Sequence, residues 1–250
     1  MAAIKPIVLL ADSQLLFWHG EEGSLLARVR DLLNEDEEVL ANPRAAYLGA
    51  SNGDAPEFYQ LFQAAMEGVG IRECRMVPAE PAEADRAFLA EADLILLAGG
   101  DVLRGWRAFE AAGIKDKIVE RYYGGALLLG VSAGAIQLGL KGADEASETL
   151  FDTFRLVPFV VDVHGEPGWP RLLAAVPRAG EHARGFGIPT GGGALYHPDH
   201  SVEPVRHPLT EFWLTEEGEV RQALLFPGET SEAADAPQES PAGKGAEKVH

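Results

Sequence analysis

The run Gly130-Val131-Ser132-Ala133-Gly134 has the spacing of a turn that presents a serine as a nucleophile. It follows the apolar run Ala126–Gly130 and precedes Ala135-Ile136-Gln137-Leu138, which can begin a helix. The glycines allow a sharp turn without side-chain clash. The turn lifts the Ser132 hydroxyl above a sheet, and the amide of Ala133 points to where an oxyanion develops. The new helix adds its positive end. The blander alternative is a small-residue turn with an unreactive serine; a strand before it and a helix after it favour chemistry. A serine hydroxyl also needs a base. Of the seven histidines, His164 follows the apolar run Pro158-Phe159-Val160-Val161-Asp162-Val163 and so stands at a strand end, where a base should be.

Two further clusters carry polar chemistry. Gly99-Gly100-Asp101 closes the apolar run Leu94–Ala98. It lacks the full G-x-G-x-x-G pattern and the Lys-Ser/Thr pair of a phosphate loop. It reads instead as a tight turn whose Gly100 amide faces Ser132. His197-Pro198-Asp199-His200 places three potential ligands in four residues. No cysteine or H-E-x-x-H pattern supports a metal there, so it reads as a polar turn. No metal and no cofactor is expected.

These residues need a scaffold, and the rest of the chain supplies its pattern. Short apolar runs at Ile7–Leu10, Ala45–Leu48, Cys74–Val77, Leu94–Ala98 and Ala126–Gly130 alternate with amphipathic stretches. The stretches are Ser24–Leu33, a helix after Asp54, then Glu83–Ala90, Leu103–Ala112 and Asp116–Tyr123. In the helix after Asp54, with Asp54 as N-cap, residues Phe58, Leu61, Phe62, Ala65 and Met66 form one apolar face. Strands apolar on both faces, alternating with helices, predict an α/β fold with a mostly parallel sheet covered on both sides. Ligands then bind beyond the carboxyl ends of the strands. Past residue 155 the pattern turns irregular, with short strands and long loops expected.

Composition sets the outer limits. The chain has 250 residues, 21 Lys+Arg against 39 Asp+Glu, and a formal net charge of −18. No basic cluster is present to neutralise phosphates, which argues against a nucleic-acid partner. A single cysteine, Cys74, makes no internal disulfide. The N-terminal apolar run is too short for a membrane span and lacks a signal-peptide pattern, so no membrane association and a cytoplasmic location are expected. One domain is expected over residues 1–227. Gly228–His250, rich in Ala, Gly, Pro, Ser, Glu and Lys, is expected to be a disordered acidic tail.

Together the motifs resemble the serine peptidase family of peptidase E (aspartyl dipeptidase) and cyanophycinase, over roughly residues 40 to 205. The anchors are Leu94–Asp101, Gly130–Ala135, Asp162-Val163-His164 and Gly185–Leu195. The resemblance implies a three-layer fold similar to class I glutamine amidotransferases, often dimeric. It implies Ser132 as nucleophile, His164 as general base, and the amides of Gly100 and Ala133 as the oxyanion hole. A small, Asp-containing peptide would be the substrate, with Asp101 and Arg171 as candidate contacts. Arg155, Arg178 and Arg184 are the other cations available for an aspartyl carboxylate. Two departures stand out. Thr190 occupies the position of the family's orienting glutamate; a threonine can hydrogen-bond an imidazole but cannot offset its charge. Asp162, Glu166 and Asp199 are the acids that could substitute. After His164, only Arg171-Leu172 matches the family's arginine-rich run. The expected activity is therefore that of a serine peptidase or dipeptidase of the peptidase E type, and the alternative is a weakened or inactive relative that binds a small acidic ligand or peptide.

Overall fold

The strand Ile7–Leu10 is apolar at every position because both of its faces are covered. Ile7 and Leu9 join one core; Val8 and Leu10 join another. The same alternation runs through Leu94–Leu97 and Leu127–Val131. This two-sided burial is the mark of a parallel sheet sandwiched between layers.

The computed structural model describes residues 3–20, 23–34, 42–144, 149–165 and 168–232. In chain order the first half holds β1 (Ile7–Leu10), β2 (His19–Gly20), β3 (Gly23–Ser24), α1 (Leu25–Asn34), β4 (Arg44–Leu48), α2 (Pro56–Gly68), β5 (Glu73–Val77), α3 (Glu83–Ala90), β6 (Leu94–Leu97), α4 (Val102–Ala112), α5 (Lys115–Tyr123) and β7 (Leu127–Val131). The second half holds α6 (Ala133–Leu138), β8 (Lys141–Ala143), β9 (Leu150–Asp152), β10 (Val160–His164), α7 (Pro170–Ala179), β11 (Arg184–Pro189), β12 (Gly193–Tyr196), β13 (Ser201–Val205), β14 (Leu209–Leu214), β15 (Val220–Leu225) and β16 (Ser231–Glu232).

The main sheet has eight strands in the order β5-β4-β6-β7-β1-β12-β13-β16. Strands β5, β4, β6, β7 and β1 run parallel; β12, β13 and β16 extend the sheet antiparallel. α1 and α2 cover one face with Leu25, Val29, Phe62 and Met66. The other face is covered by Phe88, Phe109 and Ile118 from helices α3 to α5, and by Phe159, Val161 and Phe186. Around the last three residues lies a second sheet, β10-β11-β14-β15, whose outer face is closed by α7 through Leu172 and Val176. The expected α/β class with its mostly parallel sheet is what the chain adopts. The irregular region past residue 155 holds this second sheet, whose strands mix apolar residues with polar, charged and glycine residues, as in Arg184–Pro189 and Leu209–Leu214.

Two local expectations are corrected. α2 is capped at Ala55, not Asp54; Asp54 adopts φ 59° and accepts a hydrogen bond from Ala79 N at 2.9 Å. The segment expected to be disordered from Gly228 begins with order, since Ser231–Glu232 pairs with β13. Residues 233–250 of that segment lie outside the described residues. Among the described residues no helix is long and apolar enough to cross a membrane.

Candidate active site

β7 delivers Ser132 to the carboxyl edge of the main sheet, where the chain turns directly into α6. Ser132 adopts φ 50°, ψ −111°, a conformation rare for a residue with a side chain. Its amide donates to Leu10 O at 2.8 Å, which ties the turn to the neighbouring strand. Gly134 is required by close approach: a Cβ there would lie 2.1 Å from the Leu97 carbonyl oxygen. No rotation relieves such a backbone contact, so the elbow packs against the end of β6 only with glycine.

His164 arrives from the other sheet. It ends β10, whose inner residues Val161 and Val163 pack in the core beneath the main sheet. Its Nε2 lies 2.9 Å from Ser132 Oγ. With the imidazole proton on Nδ1, the hydroxyl donates to Nε2. Trp169 is buried with Val160, Leu172 and Phe212, and its Nε1 donates to Thr210 Oγ1 at 3.1 Å. It does not line the cavity at Ser132.

The Gly99-Gly100 turn closes the third side. Gly100 has φ 130°, and a Cβ on it would meet Ser51 O at 2.2 Å. The turn is braced by side chains that the sequence reading left without a role. Asp101 N donates to Ser51 O, and Arg104 Nε donates to the same carbonyl at 3.1 Å. Buried Gln137 of α6 donates to Ser51 Oγ at 3.1 Å and to Val102 O at 2.9 Å. Among the described residues, the amides of Gly100 and Ala133 have no hydrogen-bond acceptor. Two free donors therefore border the serine.

The expected partners of His164 are placed differently. Thr190 Oγ1 donates to the backbone carbonyl of His164 at 3.0 Å, not to the ring. Among the described residues, Ser132 is the only hydrogen-bond partner of the imidazole. Asp162 is bound by Arg171, with Nη2 at 3.1 Å. Asp199 caps the β12–β13 hairpin by accepting from Ser201 N at 3.0 Å. That hairpin lies at the opposite edge of the sheet, since Tyr196 is level with Ile7 while Gly193 is level with Leu10. Glu166 lies outside the described residues. In the same hairpin His197 pairs with Glu203 and His200 with Tyr196, so these side chains are used within the turn.

The two expected substrate contacts have other partners in this structure. Asp101 is the N-cap of α4, accepting from Arg104 N at 2.7 Å. Arg171 lines a separate cavity of about 570 Å³ together with Asp162 and Arg178. Arg184 is buried against Glu211, with Nε donating to Oε1 at 2.8 Å, and Arg155 stands beside Asp152 at the surface. None of these four cations lines the cavity at Ser132.

That cavity measures about 230 Å³ and is bordered by Ser132, His164, Gly99 and Gly100. Asp12, which the sequence reading passed over, also faces it. Its carboxylate accepts from Gln14 N at 2.9 Å and Gly191 N at 2.6 Å, so it joins the end of β1 to the turn after β11. The signal was present: a carboxylate follows the apolar run of β1 at the edge where ligands bind. Burial holds the Tyr47 phenol above its usual pKa, and its oxygen accepts from Asn52 Nδ2 at 2.8 Å.

A sequence model described as Peptidase family S51 matches residues 5–188, more than half of the chain and inclusive of both Ser132 and His164. The chain belongs to peptidase family S51. Its match begins well before the stretch on which the sequence resemblance rested, because β1 is part of the same sheet. Structural likeness agrees. A peptidase from an acI-B1 Actinobacterium is similar with a TM-score of 0.66 at 17% identity, covering 92% of this chain and 97% of that one. A candidate peptidase E protein from Listeria monocytogenes EGD-e is similar with a TM-score of 0.55 at 17% identity, covering 82% of this chain and 99% of that one. No curated protein sequence matches this chain. The family membership makes this S51 chain a peptidase-class hydrolase, and the likeness to solved structures shows its fold.

Proposed function

We propose that this S51 chain is a serine peptidase acting on small peptides through a Ser132–His164 pair. The observation that carries the reading is the 2.9 Å contact between Ser132 Oγ and His164 Nε2. Ser132 attacks the scissile carbonyl while its proton passes to Nε2. The new oxyanion accepts from the amides of Gly100 and Ala133, whose N–H groups have no other acceptor among the described residues. Collapse breaks the C–N bond, and His164 returns the proton to the leaving amine. Water, deprotonated by His164, then frees the acyl group from Ser132. A cavity of about 230 Å³ is smaller than the roughly 300–1,000 Å³ of drug-sized ligand sites, which suits a short peptide such as a dipeptide.

Among the described residues no carboxylate meets the ring of His164. Loss of an orienting acid lowers rate by up to about 10⁴-fold. The placement of Thr190 on the His164 carbonyl therefore supports a second reading, a weakened relative that binds peptides more readily than it cleaves them. Mass spectrometry after fluorophosphonate treatment separates the two. The peptidase reading expects one adduct, on Ser132, absent in Ser132→Ala and strongly reduced in His164→Ala. A folded wild-type chain that forms no adduct would support the binding reading.

A further inference from the structure

The helix α2 carries an apolar face that the core does not use in full. Phe62, Ala65 and Met66 are buried, but Phe58 and Leu61 remain 47% and 43% exposed. Both border the cavity at Ser132, together with Leu16 and Leu96. Apolar side chains left in solvent beside a nucleophile mark a place where another apolar group docks.

Charge points the same way. Among the described residues that line this cavity there is no Lys or Arg, and the one carboxylate is Asp12. A second carboxylate brought there would meet like charge in a partly desolvated space. The neighbouring guanidinium groups are turned elsewhere. Arg104 donates to Ser51 O, and Arg206 donates to Gly191 O and stacks over Trp18.

We infer that the cavity beside Ser132 receives an apolar side chain of the substrate, of the leucine, methionine or phenylalanine class, and not an aspartate. The inference rests on Ser132 being the nucleophile. Its apolar side-chain walls include Phe58, Leu61, Phe62, Leu16 and Leu96, beside the polar Ser13, Tyr47 and Asn52, which makes Leu61 a specificity-determining residue on an exposed helix face.

The test compares Leu-, Phe- and Asp-p-nitroanilides with the wild type, Leu61→Arg and Ser132→Ala. The apolar substrates should exceed Asp by about 10²-fold in kcat/KM, with all cleavage lost in Ser132→Ala. Leu61→Arg should cut that ratio by about tenfold or more. Ser132-dependent cleavage with Asp equal or superior overturns the inference and leaves the peptidase reading standing. If nothing is cleaved yet fluorophosphonate labels Ser132, protection by leucinal but not by the aspartyl aldehyde supports the inference. Equal protection, or none, overturns it. If Ser132 is neither labelled nor needed, both readings fall together.

Discussion

Thr190 stands where the resemblance implies an orienting glutamate, and its hydroxyl donates to the main-chain carbonyl of His164. It therefore sets where the histidine backbone lies and leaves the ring to Ser132. Thr190→Val should keep fluorophosphonate labelling of Ser132 within about tenfold of wild type and lower stability by about 1 kcal/mol or less in urea unfolding. A loss of about 10³-fold in labelling would show that Thr190 supports the ring after all. Cys74 offers a second test. Burial pushes its thiol from the ordinary 9.0 up to about 11. At pH 8 iodoacetamide should modify the native chain at least about tenfold more slowly than the urea-unfolded chain, because the thiolate is the nucleophile. The sign in stability follows. From pH 9 to about 11 the unfolded thiol releases its proton while the folded one keeps it, so stability falls as pH rises through that window. Tyr122, pushed by burial to about 12, adds to the same alkaline loss.

The elements matter here for what they bring into contact. The elbow between β7 and α6 works because Gly134 lets α6 start against the end of β6. Gly134→Ala should destabilise the chain by about 1–3 kcal/mol and abolish labelling of Ser132, since the turn must move off Leu97. Labelling at the wild-type rate in a folded Gly134→Ala chain would sink that account. The second sheet has its own constraint. Arg184 of β11 and Glu211 of β14 form an ion pair with side chains 7% and 6% exposed. Ser231 of β16 accepts from Arg184 Nη2 at 2.8 Å and so links the end of the described chain to the pair. Glu211→Gln removes a buried carboxylate from the Arg184 guanidinium and should cost about 3 kcal/mol in denaturant unfolding. A change below about 1 kcal/mol would mean that water reaches the pair.

The whole molecule carries a net charge of −18, and its ion pairs lie mostly at the surface, such as Arg28–Glu203 and Lys117–Glu120. Exposed pairs contribute little singly. The excess of like charge opposes compaction and is screened by salt. The melting temperature should therefore rise on going from about 0.02 to about 0.2 M NaCl at neutral pH. A fall would show that the attractive pairs outweigh the net repulsion. The same charge is consistent with an apolar or amine-bearing ligand and disfavours acidic ones at long range.

The α/β class, the run of parallel strands and the Ser132 elbow were legible in the chain because they depend on short-range pattern. Apolar runs on both faces report burial, and glycines flanking a serine report a turn. The pairing of His164 with Ser132 was legible only as a possibility, since 32 residues and a change of sheet separate them. Three things were decided by packing alone. Arg171 and Asp101 went to other tasks because nearer partners, Asp162 and a helix end, satisfied them first. Asp12, Ser51 and Gln137 became the braces of the site because β1, β4 and α6 converge at one sheet edge. Phe58 and Leu61, identical in pattern to their buried helix neighbours, came to rest on the cavity, because helical periodicity defines a face but not how far along it the core extends.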